Sequence, residues 1–231
     1  RGPFTMRNCL VAYNFSNNDG GGMYLALTNN YSGQIINSTI ASNMTAAVNN
    51  RYGGGVFLTK YGAGSTPTYG IYNSTIAGNY AYNNGGGIQQ AAATLYLYST
   101  IVAENTLAIN TYKDLNAGGA ATVCSNSFIG SNSGAAAEVP AGTPNVYGTY
   151  AGTSGSPLDP LLLPLADNGG DTLTCALSVT NSLAYNHGTN ILSLLYDQRN
   201  IPYSRIGAGA CDIGACEFGV SPGTGTLILV F

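Results

Sequence analysis

The stretch of sequence that decides the fold reads Asn37-Ser38-Thr39-Ile40-Ala41-Ser42-Asn43. Related phrases stand at 8–14, 73–79 and, in degraded form, 98–105. A glycine triplet follows each of the first three copies, at 20–22, 53–55 and 85–87. A repeat of this length is too short to bury its own apolar face, so each copy has to stack on its neighbours. The sequence therefore predicts a solenoid.

The residue types within each repeat favour short strands over helices. Runs of Ile, Val, Thr, Tyr and Leu are broken by Gly and Asn, and no stretch keeps the 3.6-residue period of an amphipathic helix. Charged residues make up only 7% of the chain, far below what helical repeats need, and its 32 glycines suit tight corners. We therefore expect an all-β fold, a right-handed parallel β-helix with a C-terminal capping region.

Alignment of the copies predicts two stacks of equivalent side chains. One is an inward apolar ladder with spacings of 29, 36 and 25 residues, formed by Val11, Ile40, Ile76 and Ile101. The other is a ladder of side-chain amides at the next corner, formed by Asn14, Asn43, Asn79 and Asn105. We expect coils over residues 1–125, further coils and a cap over 126–218, and a flexible tether with a terminal strand over 219–231.

The amino-acid composition limits the classes of partner that the protein can bind and indicates where it is located. The formal net charge is −3, with no basic stripe, which argues against nucleic acid as a partner. No run approaches the roughly 20 apolar residues that a membrane span needs. Sparse charge and 17 tyrosines are typical of an extracellular surface, so we expect a secreted or cell-surface protein.

Three motifs in the second half of the chain carry a resemblance to a known family. They are Asp167-Asn168-Gly169-Gly170, Asp197-Gln198-Arg199 and Asp212-Ile213-Gly214-Ala215-Cys216-Glu217. Together with the upstream repeats, they make nearly the whole chain resemble the choice-of-anchor Q family of bacterial surface proteins. The resemblance implies a secreted, right-handed parallel β-helix, in a family that mostly has no assigned enzymatic activity.

The five cysteines allow two interpretations. Disulfides are the usual state of cysteines in extracellular proteins, and we then expect Cys175 with Cys216 and Cys124 with Cys211. Cys9 is left free in this arrangement. In the alternative interpretation, some of the cysteines are buried thiols that act as small hydrophobic residues. Zinc is disfavoured, because there is no CxxC pair and only one histidine.

Titratable residues give no constellation typical of catalysis, so we expect no catalytic, cofactor-binding or metal-binding residues. Most carboxylates fall singly, and His187 has no nucleophile signature nearby. The Asp167–Gly170 motif reads as a tight turn rather than a calcium loop. Arg199 is expected in a buried ion pair with Asp197, or with Asp212 or Glu217, that closes the C-terminal cap.

Two functions compete. The first is an extracellular structural or adhesive surface protein, with itself or cell-surface glycans as partners. The alternative is a carbohydrate-binding module, or a polysaccharide lyase or hydrolase of the β-helix type. Exposed tyrosines would then stack on sugar rings, and the candidates are Tyr24, Tyr61, Tyr69, Tyr96 and Tyr98.

Self-assembly is a further expectation within the first function. The chain begins at Arg1 inside a repeat, which predicts an N-terminal coil with unpaired strand edges. It ends on an apolar strand suited to pairing with such an edge, formed by Leu227, Ile228, Leu229, Val230 and Phe231. A head-to-tail contact of this kind, repeated without closure, predicts a filament.

Overall fold

The structure is a computed structural model that describes residues 2–28, 31–48, 50–64, 66–108, 114–118, 121–207 and 209–220. All regular structure in these residues is β, in strands that pair in parallel with the equivalent strands of the next coil. The described residues include four coils that each contribute one strand to each of four sheets. The parallel β-helix expected from the repeats is therefore confirmed.

The strands follow one another in the same order in every coil. Coil 1 contains β1 (Phe4–Arg7), β2 (Leu10–Ala12), β3 (Phe15–Ser16) and β4 (Met23–Leu27). Coil 2 contains β5 (Ser32–Ile36), β6 (Thr39–Ala41), β7 (Met44–Thr45) and β8 (Val56–Lys60). Coil 3 contains β9 (Thr68–Tyr72), β10 (Thr75–Ala77), β11 (Tyr80–Ala81) and β12 (Ile88–Gln90). Coil 4 contains β13 (Thr94–Tyr98), β14 (Ile101–Ala103), β15 (Thr106–Leu107) and β16 (Leu115–Ala117). An incomplete fifth coil adds β17 (Thr122–Ser125), β18 (Phe128–Ile129) and β19 (Tyr150–Ala151).

The strands form four parallel sheets, each running along the stack of coils. Sheet 1 has the order β1-β5-β9-β13-β17, and sheet 2 has the order β2-β6-β10-β14-β18-β19. Sheet 3 has the order β3-β7-β11-β15, and sheet 4 has the order β4-β8-β12-β16. Alternate side chains of each strand point into the coil, so the inward residues stack into one continuous apolar core.

The repeated phrase encodes a three-residue strand of sheet 2 between two sharp corners. Asn37, with a φ of 52°, precedes β6, and Ser42, with a φ of 56°, follows it. The equivalent residues of the other coils are also left-handed, and they are Asn8, Tyr13, Asn73, Gly78, Ser99 and Glu104. The glycine triplets make a further corner, where a Cβ on Gly54 would collide with the Gly86 carbonyl oxygen of the next coil. Only glycine permits this close approach between coils.

The apolar ladder differs from the sequence prediction at its last position. Val11, Ile40 and Ile76 are in register and face the core, but Ile76 pairs with Val102. Ile101 pairs instead with Thr75 and points out of the coil. The reason is that the fourth copy of the phrase is degraded: aligning isoleucine with isoleucine shifted it by one residue, which reverses the face of a strand.

The chain beyond β18 closes the stack and then covers one of its sides. Ala135 and Val139 insert into the core at the end of the coils. Residues 157–207 and 209–220, here called the C-terminal segment, lie along the outer face of sheet 2. A second apolar cluster is buried between sheet 2 and the C-terminal segment, and it includes Ile101, Phe128 and Ile213. The C-terminal segment is thus a cover along the side of the coils, whereas the sequence predicted a cap.

The two predicted disulfides are not formed, and all five cysteines are free thiols. Cys124 belongs to the core inside the coils, where Thr149 donates a hydrogen bond to its sulfur (3.7 Å). Cys211 lies in the C-terminal segment, outside sheet 2, so the wall of the coil separates the two residues. Cys175 lines a small cavity against sheet 2, while the Cys216 sulfur contacts the Glu217 carbonyl oxygen at 3.8 Å. The buried-thiol interpretation therefore holds for four of the five, all except the half-buried Cys9.

The terminal strand proposed for self-assembly, Leu227, Ile228, Leu229, Val230 and Phe231, lies outside the described residues. Filament formation therefore stays a prediction from the sequence. In the part of the chain that the structure describes, no helix is long and apolar enough to cross a membrane.

Candidate functional site

The outer face of sheet 1 carries a row of stacked tyrosines. The Tyr72 and Tyr98 rings lie 5.8 Å apart between centroids and 4° from parallel, and the Tyr96 ring lies 6.3 Å from that of Tyr98 at 7°. Tyr72 and Tyr98 are partners in register on β9 and β13. Burial, followed by the neighbouring Tyr98 and Tyr96, raises the pKa of the Tyr72 phenol. The three near-parallel, half-buried rings form an aromatic cluster on the outside of sheet 1, here called the tyrosine face.

The sequence of β13 and a glycine on β9 explain how the three rings come together on the outer face. Leu95 and Leu97 are fully buried in the core, so Tyr96 and Tyr98 are both on the outside of the coil, as the alternation predicted. Gly70 is the register partner of Tyr96, and a Cβ on Gly70 would collide with the Tyr72 ring. The missing side chain therefore leaves room for Tyr72 to lie against the sheet.

The other predicted tyrosines do not join this face. Tyr24 stacks on Phe57 across sheet 4, with centroids 5.1 Å apart and 4° between the planes, and Tyr61 is an exposed residue just after β8. The expectation that Tyr69 is exposed is wrong, because its ring is only 1% exposed and points into the core. Its hydroxyl accepts a hydrogen bond from the Leu27 amide (3.0 Å), and its single proton has the carbonyl oxygens of Leu25 (3.0 Å) and Thr59 (2.8 Å) as acceptors. Gly33 leaves the room for this large side chain.

The corner asparagines form a continuous hydrogen-bonded ladder. The Nδ2 of Asn14 donates to the Oδ1 of Asn43, Asn43 donates to Asn79, and Asn79 donates to Asn105, each over 2.9 Å. In each step, the Oδ1 also accepts the backbone N–H of the preceding asparagine. The ladder therefore satisfies buried polar groups of the coil corners without water.

The ladder ends on a buried carboxylate that sequence reasoning did not single out. The Oδ1 of Asp114 accepts both the backbone N–H and the Nδ2 of Asn105 at 2.8 Å, and its Oδ2 accepts the Ser131 amide at 2.7 Å. Asp114 is completely buried. Burial raises the pKa of Asp114 to about 7, against the opposing effect of the hydrogen bonds from Asn105 and Ser131. Asp114 therefore caps the asparagine ladder, because it accepts the last hydrogen bonds that the ladder donates.

One cavity brings together carboxylates that the sequence showed only singly. It has a volume of about 260 Å³ and is lined by Glu104, Asp114, Asp159, Pro157 and Leu158. Burial, followed by the charge of Asp159, raises the pKa of Glu104. The start of the C-terminal segment folds over the corner of coil 4, which is why residues far apart in sequence meet. Because both oxygens of Asp114 are already engaged, the cavity does not present a free pair of carboxyl groups.

We expect the Asp114 carboxyl to make the stability of the protein fall as the pH rises from about 4 to 7. A carboxyl whose pKa in the folded state, about 7, lies above its ordinary value of 3.8 binds its proton more tightly when folded. Its contribution is fully present below about pH 4 and is lost as the pH approaches 7, by up to about 4 kcal/mol. Chemical denaturation at several pH values measures this slope.

Asp114→Asn should reduce that pH dependence, whatever its effect on absolute stability, while the part that comes from other buried carboxyl groups such as Glu217 remains. Asp171→Asn, which removes the same charge from an exposed turn, is the matched control and should leave the slope unchanged. An equal slope in the wild type and in Asp114→Asn would contradict the assignment.

The three motifs of the second half form one buried polar network. Arg199 pairs with Asp197 at 2.6 Å, as one of the predicted alternatives has it, and its guanidinium lies 4.1 Å from the centre of the Tyr203 ring. It also donates to the carbonyl oxygens of Asn168 and Glu217 at 3.3 and 2.8 Å, which joins all three motifs. The Gly169 amide donates to Asp167 Oδ1 at 2.9 Å, the tight turn that the sequence indicated.

Glu217 pairs with Arg205, at 2.8 Å, and not with Arg199. Arg205 is completely buried and also donates to Asn37 Oδ1 at the corner of coil 2 (3.3 Å). Burial raises the pKa of Glu217, and the Arg205 guanidinium opposes that rise. Sequence reasoning missed Arg205, although an arginine in a chain with only seven basic residues was a signal.

His187, which the sequence placed in a loop, is exposed, and its imidazole packs beside the Tyr150 ring at 5.1 Å. Among the described residues, no group of three or more His, Cys, Asp or Glu side chains is arranged to hold a metal ion. No protein-family model, curated protein or solved structure matches this chain.

Proposed function

We propose that the protein is an extracellular, adhesive surface protein without enzymatic activity that binds polysaccharide through the tyrosine face. The observation that carries the proposal is the near-parallel stack of Tyr72, Tyr96 and Tyr98 on the outside of sheet 1. Flat aromatic rings bind the apolar faces of sugars, and their hydroxyls bond to the sugar hydroxyl groups.

The hydroxyl groups of these tyrosines are available for a ligand. Within the described residues, no hydrogen bond joins the phenol oxygens of Tyr72, Tyr96 or Tyr98 to the protein. This contrasts with Tyr69, whose hydroxyl has three backbone groups of the protein within hydrogen-bond distance. Buried tyrosines normally find such partners, so the arrangement fits rings that face solvent or a ligand.

Binding fits the tyrosine face better than hydrolysis or lyase chemistry. Sugar-cleaving sites place two functional carboxyl groups on either side of the scissile bond. The outward residues in the described strands of sheet 1 include no carboxylate, and the carboxyl groups that share a cavity, Glu104, Asp114 and Asp159, lie at the far corner of sheet 2. The mechanism proposed is adhesion by stacking along the axis of the coils.

The location and family remain part of the proposal. The Asp167–Gly170, Asp197–Arg199 and Asp212–Glu217 motifs contact one another in one network, and this mutual contact supports the resemblance to the choice-of-anchor Q family. Membership of that family implies a secreted or cell-surface protein.

Removal of one central ring should weaken polysaccharide binding at least tenfold. Tyr98 contacts both other rings of the tyrosine face, so Tyr98→Ala removes the centre of the stack, and a lost aromatic contact of about 1.5 kcal/mol corresponds to that factor. Affinity electrophoresis in gels that contain neutral or acidic polysaccharides measures the change.

Tyr24→Ala is the matched control, since it removes an equally stacked and more exposed ring from sheet 4. It should leave binding unchanged. If wild type shows no retardation by any polysaccharide, or if both variants lose binding equally, the tyrosine face is not the adhesive surface.

A further inference from the structure

The column of outward residues that contains Tyr72 and Tyr98 continues to a basic side chain. In register along sheet 1, Tyr98 pairs with Tyr72, Tyr72 with Ile36, and Ile36 with Arg7. Neighbouring strands lie about 4.8 Å apart, so Arg7 is roughly 10 Å from Tyr72 along the axis of the coils. Among the described strands of sheet 1, Arg7 is the only charged residue on the outer face.

A polar cleft surrounds this arginine. It has a volume of about 240 Å³ and lies between the first corner of coils 1 and 2 and the C-terminal segment. Its lining includes Arg7, Asn8, Asn37, Leu195, Tyr196 and Asn200. Tyr196 and the largely exposed Leu195 provide an apolar wall, and Arg7 and Asn8 provide donors opposite.

The donors of the cleft are free for a ligand. Arg7 is exposed, and its guanidinium forms no hydrogen bond or ion pair with the described residues. The Oδ1 of Asn8 accepts a hydrogen bond from the Nδ2 of Asn37 (3.0 Å), so the Nδ2 of Asn8 is left as a donor for a ligand. Asn37 itself is fixed by bonds to Tyr196 and Arg205, so the floor of the cleft is held in place.

We propose that this cleft is a subsite for a carboxylate-bearing sugar of the polysaccharide bound at the tyrosine face, an inference that rests on the function proposed above. A guanidinium with neighbouring amide donors matches a sugar carboxylate, which accepts two parallel hydrogen bonds from arginine. The rings of the tyrosine face would hold neighbouring sugars of the same chain. The ligand class is therefore a uronate-containing polymer, in spite of the net negative charge of the protein.

Two forms of one polymer test this subsite. Polygalacturonate and its fully methyl-esterified form share a backbone and differ in the carboxylate charge. We expect wild type to bind polygalacturonate roughly tenfold more tightly in affinity electrophoresis, since a charge-assisted pair is lost with the ester. The preference should shrink at high salt, because Arg7 is solvent-exposed.

Variants of Arg7 test whether this residue causes the preference for polygalacturonate over its methyl ester. Arg7→Gln should bind both polymers with the affinity that wild type shows for the ester, and Arg7→Lys should retain part of the preference as a point charge. Lys60→Gln, the matched control, removes one positive charge from sheet 4 and should behave as wild type. Tyr98→Ala should weaken binding of both polymers equally.

The outcomes separate the two proposals. Equal binding of both polymers by wild type, still lost in Tyr98→Ala, overturns the Arg7 subsite and leaves the tyrosine face in place. A preference for polygalacturonate that Arg7→Gln retains also overturns the subsite. Binding of neither polymer by wild type, together with no retardation by the other polysaccharides, overturns both proposals.

Discussion

Asn79→Ala should destabilise the protein by about 3–5 kcal/mol, the sum of several buried hydrogen bonds left without partners. Asn79 is fully buried in the middle of the amide ladder. Its Oδ1 accepts the backbone N–H and the Nδ2 of Asn43, both at 2.9 Å. Its two Nδ2 protons are shared among the carbonyl oxygens of Ile40 (3.0 Å) and Ala77 (3.2 Å) and Asn105 Oδ1 (2.9 Å). Alanine fills none of these roles, and the closed corner has no evident route by which water replaces them.

Asn14→Ala is the matched control for this change. Asn14 stands at the exposed end of the same ladder, where water replaces its lost bonds, so we expect a loss below about 1 kcal/mol. Urea unfolding with a common m-value measures both variants. Equal losses in the two variants would show that the ladder does not stabilise the coils through its buried bonds.

Arg205→Leu should cost about 3–5 kcal/mol, because the buried Glu217 carboxyl loses its guanidinium partner and has either to remain an unpaired charge or to take up a proton. The same guanidinium also donates to the Asp212 carbonyl oxygen (2.6 Å) and to Asn37 (3.3 Å), and both acceptors would be left with fewer donors. Since Asn37 belongs to coil 2, we expect the loss to loosen the C-terminal segment from sheet 2. Hydrogen exchange should then show deprotection in 186–217 before any deprotection in sheet 1.

The double variant Arg205→Leu/Glu217→Gln separates a lost charge pair from a lost side chain. The glutamine side chain keeps an acceptor for the Asp212 amide, which bonds to Glu217 at 3.0 Å, and removes the unpaired charge. We expect the double variant to be more stable than the single arginine variant by about 1–2 kcal/mol. A double variant less stable than Arg205→Leu would mean that the charge of Glu217 contributes nothing to the loss.

The repeated phrase was enough to predict the coils and the asparagine ladder, because a strand between two left-handed corners recurs with the same residues. The alignment failed at Ile101, where a degraded copy offered two apolar neighbours and only the register of sheet 2 distinguishes them. Tyr69 was placed outside for a similar reason. The glycines Gly33 and Gly70 make room for a large ring on opposite faces of sheet 1. The alternation of side chains in the sequence does not show which of the two faces is inside the coil.

The remaining features depend on contacts between distant parts of the chain. Arg7 and Tyr196 line one cleft although they are almost 190 residues apart, and Arg205 bonds to Asn37 across 168 residues. No local pattern encodes which side of a solenoid an irregular segment covers. The predicted pair Cys124–Cys211 failed on the same point, because Cys124 lies inside the coils and Cys211 belongs to the C-terminal segment outside them.

The C-terminal segment fixes the spacing of coils 2, 3 and 4, because it is hydrogen-bonded to each of them. Gln198 bonds to Thr39 of coil 2, and Ala215 bonds to Thr75 of coil 3. Thr189 bonds to Ser99 of coil 4. An ordinary solenoid gains or loses a repeat at the cost of one interface. Here, a coil inserted or deleted between coils 2 and 4 would shift these three anchor points relative to one another, so this part of the stack and its cover have to change together.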